Sequence, residues 1–81
     1  MVKQIGVPLE EIVIEMLYEL RDMIARSGRV EEIYGGYEIT ITDTELFPWH
    51  RVIYFLLDCS FEVWMEKTEY GLLIMSKPVV D

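Results

Sequence analysis

The chain has 81 residues, 52% of them hydrophobic, and carries 15 acidic against 7 basic side chains for a net charge of −8. That length sets one domain, which buries only about 60–65% of the surface its unfolded chain exposes, so some apolar surface remains for a partner, most simply a second copy. The seven cations (Lys3, Arg21, Arg26, Arg29, Arg51, Lys67 and Lys77) are scattered, which argues against nucleic acid and anionic membranes, both of which call for clustered positive charge.

One cysteine, Cys59, excludes an internal disulfide and fits a reducing compartment. The first six residues show no signal-peptide pattern, and no apolar run approaches the roughly 20 residues that span a bilayer. The expectation is a cytoplasmic protein. The absence of Asn and the single Gln lean toward a thermophilic source.

In chain order, residues 1–6 can form a short strand. Gly6-Val7-Pro8 then starts a helix expected over residues 8 to about 27. Pro8 suits the first turn, and Glu10 and Glu11 lie where the macrodipole favours acid. Leu9, Ile12, Val13, Met16, Leu17, Leu20, Met23 and Ile24 recur at helical spacing, and Gly28 is placed to act as a left-handed cap. Glu11, Glu15, Glu19 and Asp22 fall on the outer face, where they read as a solvated acidic stripe or a dock for a basic partner.

Residues 30–42 read as a hairpin, or a loop feeding a strand, turning at Gly35-Gly36. That turn pairs Tyr34 with Tyr37 and Val30 with Ile41. Tyr37, Ile39 and Ile41 share one face of the second arm. The first arm is expected to be short or irregular, because a regular strand would turn Glu32 toward the apolar face. Thr42-Asp43-Thr44-Glu45 has capping-box spacing, but Pro48 disfavours helical geometry at Phe47. A tight turn at 43–46 and a helix from about 47 to 60 follow.

That second helix is the most apolar stretch, with Trp49, Val52, Ile53, Phe55, Leu56, Leu57 and Cys59 over most of its circumference. His50, Arg51, Tyr54 and Asp58 form a narrow polar stripe. The C-terminal segment is a hairpin turning at Thr68-Glu69-Tyr70-Gly71. Parity puts Phe61, Val63, Met65, Leu72 and Ile74 on one face, and Trp64, Leu73 and Met75 with Glu62 and Glu66 on the other. No internal repeat is visible. The fold expected is an α+β two-layer sandwich in βαβαββ order, with both helices on one face of a small mixed sheet.

Several segments carry a family resemblance. Gly6-Val7-Pro8-Leu9, Tyr37-Glu38-Ile39-Thr40-Ile41-Thr42-Asp43, Phe47-Pro48-Trp49, Phe61-Glu62-Val63 and Leu73-Ile74-Met75-Ser76-Lys77 resemble, in order and length, the TusA/SirA-like family of small sulfur-carrier proteins. The resemblance implies the βαβαββ sandwich. In that family a Cys-Pro-x-Pro motif at the start of the first helix carries the sulfur. Here Val7 stands before Pro8 and the second Pro is missing, so the resemblance implies the fold and argues against the activity.

No catalytic, metal or cofactor site is expected. Cys59 sits at a helix C-terminus beside Asp58, and both raise a thiol pKa, so it reads as a packed or semi-buried structural residue. His50 and Tyr54 are four residues apart on the polar stripe, but Cys59 lies about 180° around the helix from His50, and a metal needs three or more ligands. A single His also makes a hydrolytic triad improbable. The favoured site is an interface of Trp64, Leu73 and Met75 rimmed by Glu62, Glu66 and Lys77, because Trp and Met are typical interface residues. The function expected is a small non-enzymatic interaction domain that forms a homodimer or binds another protein. The alternatives are a sulfur-relay or redox carrier using Cys59, and an acidic decoy for a basic or nucleic-acid-binding protein.

Overall fold

The first helix, α1, runs from Leu9 to Ile24 in the computed structural model, which describes residues 9–33 and 35–79. The expected strand at 1–6 and the start of the helix at Gly6-Val7-Pro8 lie outside those residues. α1 buries Met16, Leu20 and Ile24, each four residues from the next on one stripe. It ends three residues earlier than its spacing suggests. Ser27 closes the last turn by donating both its N–H (2.6 Å) and its hydroxyl (2.7 Å) to the Ile24 carbonyl. Gly28 is therefore no cap but the first residue of strand β1, Gly28–Ile33. It is glycine because a Cβ there would run into the Thr40 carbonyl.

β1 pairs antiparallel with β2, Gly36–Ile41. The first arm is thus a regular strand, and Glu32 stays exposed because β1 is a sheet edge. The register differs by two residues from the expected one: Ile33 faces Gly36 and Val30 faces Ile39. Gly35 carries the positive φ of the turn (+83°). Gly36 belongs to the strand, where a Cβ would strike the Ser76 carbonyl of the neighbouring strand. The shift by two preserves parity, so Val30 stays with Ile39 on the apolar face.

The turn after β2 is built by Asp43, not by a Thr42 capping box. Asp43 Oδ1 accepts the N–H groups of Glu45 (3.0 Å) and Leu46 (3.1 Å). Helix α2 spans Trp49–Asp58, starting two residues later than expected. Pro48 is its N-cap, with a non-helical ψ of 73° and a carbonyl that accepts the Val52 N–H. The helix is also less enclosed than its composition suggests. Val52 and Leu56 are fully buried, but Leu57 is exposed.

Strands β3 (Phe61–Thr68) and β4 (Gly71–Pro78) form the C-terminal hairpin. At its turn Thr68 Oγ1 accepts the Tyr70 N–H and donates to the Gly71 carbonyl, 3.1 Å each. The four strands make one sheet in the order β1-β2-β4-β3, and every pairing among them is antiparallel. α1 packs over β1 and α2 over β3. The core between helices and sheet joins Met16, Leu20, Ile24, Val52 and Leu56 to Val30, Tyr37, Ile39, Ile41, Phe61 and Ile74. This is the expected α+β sandwich with both helices on one sheet face, but the sheet is antiparallel throughout its described strands rather than mixed, and because residues 28–33 form a strand the described order is αββαββ. Ser76, opposite Tyr37 on β4, is small enough to let the Tyr37 ring stack on Phe61 at 5.5 Å. No described helix is long and apolar enough to cross a membrane.

The fold contains a repeat that the sequence hides. Adding 35 to each residue number turns every β1–β2 pair into a β3–β4 pair: Gly28–Ile41 becomes Val63–Ser76, and Ile33–Gly36 becomes Thr68–Gly71. The same shift relates Ile39 to Ile74, which face each other across the central β2–β4 pair. A pseudo-two-fold axis therefore stands perpendicular to the sheet between these two isoleucines, each fully buried. Even the close approaches repeat. A Cβ on Gly36 would meet the Ser76 carbonyl, and one on Gly71 would meet that of Ile41 at 3.3 Å.

Candidate interaction surface

The sheet face away from the helices carries the side chains that alternate with the core set. From edge to edge these are Arg29, Glu31 and Ile33 on β1, Glu38 and Thr40 on β2, Leu73, Met75 and Lys77 on β4, and Glu62, Trp64, Glu66 and Thr68 on β3. Trp64 lies opposite Met75, which lies opposite Glu38, so one cross-strand row runs aromatic, thioether, carboxylate. Leu73 sits between Thr40 and Glu66 in the next row. Trp64 is 46% and Met75 41% exposed, high for such large apolar side chains on adjoining strands of a sheet. Lys77 extends over the Trp64 ring, its Nζ 5.5 Å from the centroid, a cation–π contact at the patch border.

Two depressions mark this face, one at each end of the central strand pair. Ile33, Trp64, Met75 and Lys77 border the smaller one, about 180 Å³, beside Gly36. Arg29, Thr40, Thr68, Tyr70 and Leu73 border the larger one, about 430 Å³, beside Gly71. They are counterparts under the pseudo-two-fold: Arg29 answers to Trp64, Thr40 to Met75 and Thr68 to Ile33. Both sites are largely apolar, but the larger one adds Arg29, Thr40 and Thr68 where the smaller has Trp64, Met75 and Ile33, so the repeat keeps the position and changes the chemistry.

The structure thus gathers Trp64, Leu73, Met75, Glu62 and Glu66 on one face. It adds three residues that the sequence reading passed over. Arg29 and Ile33 join the face because residues 28–33 are a strand, and Tyr70, 86% exposed, stands at the hairpin tip.

The remaining candidates lie elsewhere. His50 and Tyr54 are exposed on α2 with their ring centroids 4.2 Å apart and the rings tilted at 47°, and Cys59 lies on another side of the helix. Among the described residues no group of three or more His, Cys, Asp or Glu could hold a metal ion. Cys59 is exposed rather than packed or semi-buried, because it falls at the C-cap, beyond the last turn of α2. It borders a shallow groove with Glu15, Met16, Glu19 and Phe55. Partial burial there, then the charges of Asp58 and Glu19, push its thiol pKa up. Burial, then Glu32 and Cys59, push the Tyr37 phenol up to about 12.

A raised thiol pKa has a kinetic consequence. Cys59 should react with iodoacetamide in the folded protein, but more slowly at neutral pH than a free peptide thiol, and its rate should plateau at a higher pH. Ellman titration of residual thiol after timed alkylation measures this. Faster reaction than the peptide at neutral pH would mean a stabilised thiolate.

Comparison of the chain with protein-family models, with curated proteins and with solved structures gives no match.

Proposed function

We propose that this chain is a small non-enzymatic interaction domain of the cytoplasm that works as a homodimer, its open sheet face packed on that of a second copy. The observation that carries this reading is the strip Trp64–Met75–Leu73, running from the edge strand β3 onto β4 with a charged border, in which Trp64 and Met75 are left nearly half exposed and Leu73 partly exposed. Two sheets that pack face to face remove such a strip from water at about 25 cal/mol per Å². The sulfur-carrier resemblance contributes only the fold to this proposal. A carrier role for Cys59 is disfavoured, because acids and burial hold its thiol toward the neutral form.

Charge supplies the test. Each copy carries −8, so the apolar strip must hold two chains together against their mutual repulsion. Salt screens that repulsion, with a Debye length falling from about 10 Å at 0.1 M to about 3 Å at 1 M. Sedimentation equilibrium should show a dimer whose Kd falls as salt rises. A monomer at every salt concentration overturns the reading. A monomer that captures a basic protein only at low salt supports the acidic decoy in its place.

A further inference from the structure

The pseudo-two-fold fixes how two such faces can meet, and we infer that the dimer axis runs parallel to the sheet, midway between the two copies, crosses the strands at right angles, and passes the level of Ile39 and Ile74. This rests on the dimer reading above and adds its geometry. Because the strands are pseudo-symmetric, positions on the open face come in pairs equidistant from the Ile39–Ile74 centre: Arg29 with Trp64, Thr40 with Met75, Glu31 with Glu66, Glu38 with Leu73.

Three symmetric placements follow, and the side chains separate them. An axis across the strands at the centre sets each strand over its own copy, run in reverse. Met75 then meets the partner's Leu73, and Leu73 the partner's Met75. On β1, Glu31 meets the partner's Arg29, and Arg29 the partner's Glu31. On β4, Lys77 reaches the partner's hairpin tip at Glu69 and Tyr70. On β3, Trp64 meets the partner's Glu66, the one carboxylate this placement sets against an apolar side chain; elsewhere apolar groups cover apolar groups, opposite charges face each other, and Glu38 meets the hydroxyl of Thr40.

An axis along the strands sets β4 over the partner's β2. It presses Met75 onto the partner's Glu38, Trp64 onto the partner's Glu31, and Ile33 onto the partner's Glu62. That arrangement desolvates carboxylates against apolar side chains without partners for them, apart from an Arg29–Glu66 contact. An axis across the strands at the level of Met75 stacks Trp64 and Met75 on their own copies, but also Glu31 on Glu31 and Glu38 on Glu38, and it sets Glu62 against Glu66. Like charges face each other in every acidic row, in a protein already at −8. The roughly 30° rotation between packed sheets shifts the corners and leaves the central Leu73–Met75 contacts in place.

The test is a charge swap on the edge strand, where both side chains are exposed and the fold does not depend on them. Arg29→Glu and Glu31→Arg are made as separate full-length chains and followed by native mass spectrometry. Alone, each places like charges face to face twice, and its dimer Kd should rise roughly tenfold. Mixed, every such contact becomes an opposite-charge pair, so heterodimers should exceed the one-half that random mixing gives. A random or lower share overturns this axis. Enrichment when Arg29→Glu is mixed with Glu66→Arg moves the axis along the strands. Single variants that leave Kd unchanged, in a protein that Trp64→Glu still makes monomeric, keep the dimer face and overturn its geometry. A wild-type chain that dimerises only after residues 1–8 are removed makes that segment the occupant of the face and overturns both readings.

Discussion

Replacing Ile74 with alanine should cost about 4 kcal/mol of stability, within the range of 2–5 kcal/mol measured for large-to-small changes in cores. Ile74 is fully buried, lies opposite both Ile39 and Met65, and stands beside the pseudo-two-fold axis. The hairpins continue from this point in both directions, and both helices pack above them. A site held by two paired strands and two helices collapses poorly onto a void, so the cavity cost adds to the lost transfer energy. A domain of this size has roughly 5–10 kcal/mol in total. The variant should therefore unfold at a much lower urea concentration, with an unchanged m-value if the denatured state is unaffected. Ile74→Val, which removes one methylene group, should cost about 1 kcal/mol. The double variant Ile39→Ala/Ile74→Ala should lose less than the sum of its parts, because the two residues share one cavity. A loss below about 1 kcal/mol for Ile74→Ala would mean that the packing centre lies elsewhere.

The contrast between Ile74 and Gly36 shows what the sequence discloses and what it hides. The helical spacing of Met16, Leu20 and Ile24 and the alternation of Phe61 to Met65 are local signals of burial, and the structure follows them. Parity placed Trp64, Leu73, Met75, Glu62 and Glu66 on one face because a two-residue hairpin turn leaves little freedom in register. At Gly35-Gly36 two glycines offer more than one turn, and the one adopted depends on a neighbour distant in sequence, the Ser76 carbonyl, which no local reading shows. That ambiguity is why residues 28–33 do not declare themselves a regular strand, and why Arg29 and Ile33 carry no local sign of the open face. The repeat was hidden for a related reason. Between positions 28–41 and 63–76 only Glu31, Gly36 and Ile39 keep their identity, as Glu66, Gly71 and Ile74. What repeats is backbone pairing, set by close approach at two glycines and burial at two isoleucines, while the exposed face has diverged. An apolar helix suggests burial all round. Leu57 lies on the side of α2 that the sheet does not reach, and Cys59, although on the stripe of the buried Val52 and Leu56, falls at the C-cap beyond the last turn.

Trp64→Glu should convert the dimer to a monomer while leaving the fold intact. The Trp64 side chain stands on the open face at the middle of β3, about half exposed, with Met75 beside it and Lys77 over its ring. Glutamate there loses the largest apolar group of the strip and adds a fifth carboxylate to a face that already carries Glu31, Glu38, Glu62 and Glu66. Interface tryptophans commonly contribute 2 kcal/mol or more, and a two-fold axis counts each loss twice, so Kd should rise by about three orders of magnitude. Folding stability should change by less than about 1 kcal/mol, because an exposed strand position bears little of the core. Met65→Glu is the matched control. Met65 is the next residue on the same strand, 53% exposed, and it points to the helix side, opposite Ile74. It carries the same charge change on the same edge strand and should leave assembly unchanged. Sedimentation velocity with circular dichroism on both variants separates the cases. If Trp64→Glu remains dimeric with the wild-type Kd, the open face is not the interface. If Met65→Glu dissociates the protein and Trp64→Glu does not, the two copies meet on the helix side of β3.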